Sequence, residues 1–300
     1  VAERARGARI EWPTLALLAL CYGGWALGTT WAAAAWLPLG IVVTGLFIAW
    51  HSSLCHEALH GHPFRNEGLN EALVFPALTL VVPYRRFRDT HLAHHQDSNL
   101  TDPYDDPESN FWDPAVWRTL PGWVQAVLRV NNTLAGRLVL GPLIGQIAFM
   151  AGDWRAIRAG DRAVAQAWLV HLPAAALVLA WVLWAPIPVW AYLLSAYIGL
   201  AILKIRTFLE HRAHERASGR TVIIEDRGPL AWIFLNNNLH VVHHMHPAVP
   251  WYELPRLYAR NRAHYLSRNG GYLYRSYGEI FRRHFLRAKD PVPHPLWPRE

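Results

Sequence analysis

Histidine stands out in this chain by number and by spacing. Seventeen occur in 300 residues, and most of them gather in three short clusters. "HSSLCHEALHGH" covers 51–62, "HLAHH" covers 91–95, and "NNNLHVVHHMHP" covers 236–247. On a helix, positions i, i+3 and i+4 lie on one face. His91, His94 and His95 meet that condition, as do His240, His243 and His244, and His56 pairs with His60 at i, i+4. Neutral imidazole suits iron, copper and zinc. Four or five nitrogens complete one ion when a position is left for water or oxygen, so eight or nine imidazoles would serve two ions. A single zinc takes about four ligands and would leave half of them idle. Soluble di-iron bundles rely on Glu with Glu-x-x-His, and this chain lacks that pattern, so the expected site is built of histidine alone.

Those clusters need elements to hold them, and the elements are apolar. No Lys or Arg occurs between Arg9 and Arg65, and "TLALLALCYGGWALGTTWAAAAWLPLGIVVTGLFIAW" (14–50) lies in that gap. A spanning helix needs roughly 20 residues, so the stretch fits two spans, about 14–30 and 33–50, with a turn near Gly28–Trp31. A second charge-free window, 163–203, breaks at "APIP" (185–188) into spans of about 163–184 and 187–204. Proline at that break favours a turn. Arg4, Arg6 and Arg9 precede the first pair, and Arg155, Arg158 and Arg162 precede the second. The positive-inside rule then places both termini and the middle segment in the cytoplasm. "LNEALVFPALTLVV" (69–82) and "LAGRLVLGPLIGQIAFM" (134–150) are interrupted by Pro76, and by Arg137 and Pro142. Both read as interfacial or re-entrant segments. The expected fold is a single all-α integral membrane domain over 1–300. It has four transmembrane helices in two hairpins, and cytoplasmic blocks 51–162 and 205–300 form a helical cap around a histidine-rich di-metal site.

Composition agrees. Hydrophobic residues make up 52% of the chain and charged residues only 17%, against roughly 25% charged in soluble domains. Two cysteines, Cys21 and Cys55, exclude a disulfide framework and a CxxC metal ribbon. The first apolar segment runs into the second without a cleavage site, so no cleaved leader is expected. The formal charge is +7, and the excess sits in residues 204–300, with 16 Lys and Arg against 8 Asp and Glu. Contact with anionic lipid headgroups accounts for such a face, and so does docking of an acidic electron-transfer protein. A chain this apolar does not read as a nucleic-acid binder.

With boxes and spans in place, the chain resembles the membrane fatty acid desaturases, the integral-membrane di-iron enzymes with three histidine boxes. Those boxes are HxxxH or HxxxxH, then HxxHH, then HxxHH, set around two transmembrane hairpins. They appear here as "HEALHGH", "HLAHH" and "HVVHH". The flanks "LTDPYDDPES" and "PAVPWYELP" are similar as well. The resemblance implies two non-haem iron ions, replaceable by zinc in purified protein, and O2 that is activated to attack a C–H bond. It implies a cis double bond in a fatty acyl or lipid-like chain, with electrons supplied by a separate ferredoxin-like or small haem protein on the basic cytoplasmic face. A methylene C–H has no acidic proton, so acid–base groups alone cannot attack it, and a metal–oxygen oxidant is needed.

By the box match, the implied ligands are His56, His60, His91, His94, His95, His240, His243 and His244. The family adds one histidine between the last span and the third box. "RTFLEHRAH" offers His211 and His214, and His211 lies closer to the span. His51 with His56 also spells HxxxxH, but "HEALHG" has the family's core wording, which leaves His51 beside the ligands. Some members carry Asn four residues before the added histidine, holding a metal-bound water; Thr207 stands there in this chain. Asn236, Asn237 or Asn238, just before the third box, could replace it, with Asn238 the one closest to that box. Glu57, Asp89 and Glu210 stand near ligands in sequence and could orient their second ring nitrogens. The acidic run Asp102, Asp105, Asp106 and Glu108 reads as a solvated loop or as a partner for the basic C-terminal third. No catalytic group beyond the metal centre is expected. The same core can instead hydroxylate or ketolate an alkane, carotenoid or other lipid-like molecule, and histidine boxes do not separate those outcomes.

Overall fold

The computed structural model describes residues 10–96 and 98–297. The Arg4, Arg6 and Arg9 of the orientation argument lie outside the described residues. The described residues are mostly helical, with one parallel pair of two-residue strands among them, Ile223–Ile224 and Leu273–Tyr274. Among the described residues, four helices are long and apolar enough to cross a membrane: Trp12–Ala35, Leu37–Leu59, Arg162–Trp184 and Val189–Thr207. The described residues fall into two compact units. One is the described part of Val1–Arg85 with Ala165–Gly199, and the other is Arg86–Val164 with Leu200–Glu300.

In the first unit, the break between the first two spans lies at Trp36, not at Gly28–Trp31. Gly28–Ala32 forms a π turn inside a continuing helix. Thr29 and Thr30 do not open the chain there because their hydroxyls donate back to Trp25 and Ala26 carbonyls. Trp36 takes extended backbone angles, and Pro38 stands in the first turn of the next helix, where its missing N–H costs nothing. That helix also runs past position 50 to Leu59, so His51 and His56 lie within it and His60 caps it. Nothing in "HSSLCHEAL" breaks it, and Ser52 returns its hydroxyl to the Ile48 carbonyl.

The spans share one core that includes Trp25, Ile48, Val178, Ile187 and Tyr192. Helices approach closely where glycine permits it. A Cβ on Gly45 would stand 3.0 Å from the Ser195 carbonyl, and one on Gly199 would stand 2.7 Å from Ile48. Small residues at such crossings are the usual means of packing helices in lipid. Segment 74–82 is irregular and lies against the spans. Ala77 N–H donates to Ala174 O, Tyr192 Oη donates to Leu78 O at 2.7 Å, and His171 Nε2 donates to Leu80 O at 3.0 Å. Irregular backbone packed against apolar helices needs protein groups to satisfy it in this way, and this gives His171 a structural partner.

The second unit is built from shorter helices. The HLAHH helix covers Tyr84–His94, and within this unit Arg86 forks onto Asp153 of the helix Gly141–Arg158 at 2.9–3.1 Å. The HVVHH helix, His240–Met245, buries Val241 and Val242 in a cluster with Leu254, Tyr258 and Tyr265. Residues 134–150 are helical. Val139, Leu143, Ile147 and Met150 on them are exposed, as is Trp154 beyond them, which is the pattern of helices lying at an interface.

Candidate metal centre

Each histidine triplet divides. In the second unit, His94, His211, His240 and His244 gather with their ligand nitrogens all within 4.8 Å of one another. His94 Nε2 lies 2.9 Å and His240 Nε2 3.2 Å from His211 Nε2. A second group in the same unit joins His91, His95 and His243: His95 Nε2 is 3.0 Å from His91 Nε2 and 3.2 Å from His243 Nε2. Helix geometry explains the division. Residues i and i+4 are roughly 40° apart around a helix, whereas i+3 and i+4 are about 100° apart. His91 and His95 therefore stay together, as do His240 and His244. His94 and His243, the i+3 members, each join the other helix's pair. The rings of His95 and His244 stack with centroids 4.2 Å apart. In the first unit, His56 and His60 present their rings to each other at 4.8 Å.

The second nitrogens show what the rings are for. His91 Nδ1 donates to Glu108 at 2.9 Å, His94 Nδ1 to Asp106 at 2.7 Å, and His240 Nδ1 to Asn237 at 2.9 Å. His211 Nδ1 lies 3.3 Å from Thr221 Oγ1. A donating Nδ1–H fixes the tautomer that leaves the lone pair on Nε2, and it is the Nε2 atoms that converge. Lone pairs facing each other at such distances repel unless a cation lies between them. Two nitrogens bound at about 2.1 Å to one ion stand roughly 3 Å apart, which matches the spacing in both groups. The residues present therefore fit a pair of first-row metal ions.

Electrostatics point the same way. Burial, with positive neighbours adding to it, holds His211 and His240 well below the usual imidazole range, so both rings are neutral. Burial would also lower His94, but Glu108 and Asp106 override it and raise that imidazole to about 9. Glu108 stays anionic: burial would raise it, but His94 and His91 hold it below the carboxylate range. The groups around His94 thus favour a positive charge there, from a proton or a metal ion. Burial raises Glu210, against Arg206 beside it.

Several expected neighbours are placed differently. The acidic run is not simply a solvated loop, since Asp106 is buried and both Asp106 and Glu108 grip box-two rings. Asn238 does not touch a ligand ring; its amide donates to the Ile224 and Asp226 carbonyls. Of the three asparagines, Asn237 makes such a contact, to His240, because positive φ angles at Leu235 and Asn236 turn the asparagine run. Asp89 pairs with its neighbour Arg88. Glu210 Oε1 sits 2.8 Å from Arg206 Nε and 3.8 Å from His240 Nδ1. Glu57 Oε1 lies 3.8 Å from His56 Nδ1. His51 bonds to Tyr22 and Cys55. Thr207 Oγ1 is buried with no hydrogen-bond partner among the described residues. His214 bonds the Arg216 backbone away from the cluster.

Two curated relatives align over 254 residues, 81% of this chain. Both are beta-carotene ketolases from Paracoccus: one from strain N81106 / MBIC 01143, 26% identical over 86% of its length, and one from strain PC1, 25% identical over 79%. Either kind of chemistry, desaturation or ketolation, is an oxidation. The family model for fatty acid desaturases matches residues 29–277, and so takes in all four apolar helices in part or whole and every box histidine; the chain belongs to the fatty acid desaturase family.

Proposed function

We propose that this chain is an O2-dependent membrane oxidoreductase that inserts oxygen at a C–H bond of a carotenoid-like substrate. The convergent, tautomer-fixed Nε2 atoms carry the reading of a two-metal oxidation centre. The relatives named as beta-carotene ketolases support the choice of outcome and substrate.

One metal is assigned to His94, His211, His240 and His244. The other is assigned to His91, His95 and His243, with His56 and His60 proposed by donor count as its remaining ligands. Two non-haem irons bound there would supply O2 activation. The chain's own groups do the rest. Asp106, Glu108 and Asn237 hold the rings in the ligating tautomer, and the paired carboxylates favour cation binding. The apolar helices give a lipid-soluble substrate its route through the bilayer. A separate ferredoxin-like or small haem protein supplies electrons at the basic face. Arg155, Arg158 and Arg162 are exposed around the start of the third apolar helix, and this supports cytoplasmic termini.

A second reading, desaturation of an acyl chain, is supported by the family match. Mass spectrometry decides between them. Membranes containing the protein, a ferredoxin-like donor and isotopically labelled O2 are expected to yield a carotenoid product carrying labelled oxygen. Loss of two hydrogens from an acyl chain with no oxygen gained would establish the second reading and overturn the first.

A further inference from the structure

We propose that the segment Lys289–Trp297 is a positioning strap for the metal centre, acting on the ligands through the acidic loop. This rests on the metal reading above. The strap lies beyond residues 29–277 that the family model matches, and everything it touches here is in the second unit.

At one end, Lys289 Nζ donates to the His211 carbonyl and, at 3.2 Å, to Tyr272 Oη. Tyr272 Oη in turn donates to the Leu209 carbonyl at 2.7 Å. The turn carrying His211 is thus held on both sides. Further along, the strap pairs with Trp112: Trp112 N–H donates to Val292 O at 3.0 Å, and His294 N–H donates to Trp112 O at 2.8 Å. His294 itself is buried. Its Nδ1 accepts from Leu296 N–H, so the proton sits on Nε2 and is donated to Thr101 Oγ1 at 3.2 Å.

From Thr101 the line continues without a gap. Thr101 N–H donates to Asp106 Oδ2 at 2.9 Å, and Asp106 Oδ1 accepts from His94 Nδ1 at 2.7 Å. Thr101 has φ of 70°, a left-handed conformation that a β-branched residue rarely adopts. Such strain persists where the surroundings over-determine it, and His294 and Asp106 are those surroundings. His294 therefore orients Thr101, Thr101 orients Asp106, and Asp106 orients a ligand.

The test uses the full chain, purified without metal and loaded with cobalt(II), whose visible absorption reports histidine ligation. Wild type is expected to bind two ions. His294→Ala and the near-isosteric Thr101→Val are expected to release one of them to a chelator about tenfold faster, the lower end of the effect of losing a ligand's partner. The other ion should keep its wild-type rate. His294→Gln, which retains a donor toward Thr101, is expected to release both at the wild-type rate. If His294→Ala and Thr101→Val both match wild type, the strap proposal falls and the metal reading stands. Equal acceleration at both sites, with a lowered melting temperature, would also overturn the proposal, as general loosening. A wild-type spectrum no different from that of His94→Ala would remove the metal reading, and the strap proposal with it.

Discussion

Alanine at His94 is expected to abolish product formation and leave purified protein with one bound metal ion fewer. The loss of turnover should exceed about a hundredfold, because removing a ligand's hydrogen-bond partner alone costs roughly 10–100-fold. Both nitrogens of His94 are engaged. Its Nδ1 is tied to buried Asp106, and its Nε2 faces His211 at 2.9 Å. Its removal also leaves Asp106 buried without the cation it serves, and an uncompensated buried charge is costly. His243→Ala should behave alike for the other ion, since His243 Nε2 stands 3.2 Å from His95 Nε2. His214→Ala is the control, because that ring bonds local backbone. Activity in His94→Ala above a tenth of wild type, with unchanged metal content by elemental analysis, would refute the assignment.

Asp106→Asn is expected to weaken metal binding by about 10–100-fold while leaving the fold intact. The carboxylate accepts from three donors: His94 Nδ1 and Glu108 N–H on one oxygen, and Thr101 N–H on the other. Asparagine keeps the shape but has one accepting oxygen. If that oxygen stays with His94, the amide nitrogen faces Thr101 N–H, donor against donor. If it turns to Thr101, the His94 tautomer is no longer enforced. The negative charge that favours a cation is lost in either case. Competition with a graded series of chelators measures the effect. Unaltered affinity in Asp106→Asn, alongside a clear loss in His94→Ala, would show that the carboxylate does not set the ligand.

The gathering of the histidines was legible in the sequence where it depends on short-range geometry. The pair His56/His60 and the two HxxHH boxes follow from helix spacing. The charge-free windows locate four apolar helices. What escaped depends on the chain folding back. Asp106 meets a histidine twelve positions earlier, and its Asp- and Pro-rich surroundings give the composition of an exposed turn. Nothing local in "PVPHPLW" says that His294 will reach Thr101, 193 residues away. Which of the three asparagines would touch a ring escaped for a smaller reason. Two successive residues with positive φ, Leu235 and Asn236, precede Asn237, and non-glycine residues rarely adopt that conformation. The turn at Trp36 was misplaced because glycine and threonine read as breakers, yet the threonines satisfied the helix's own carbonyls.

The exchange of the i+3 histidines has a thermodynamic consequence. Because the HLAHH and HVVHH helices each contribute to both nests, ordering one nest restrains the rings of the other. Conformational entropy surrendered on filling the first position need not be surrendered again at the second. The two sites are thus linked by two shared helices and by the stacked rings of His95 and His244. Filling one nest is therefore expected to tighten the other modestly, while each ion keeps its own ligands and leaves at its own rate.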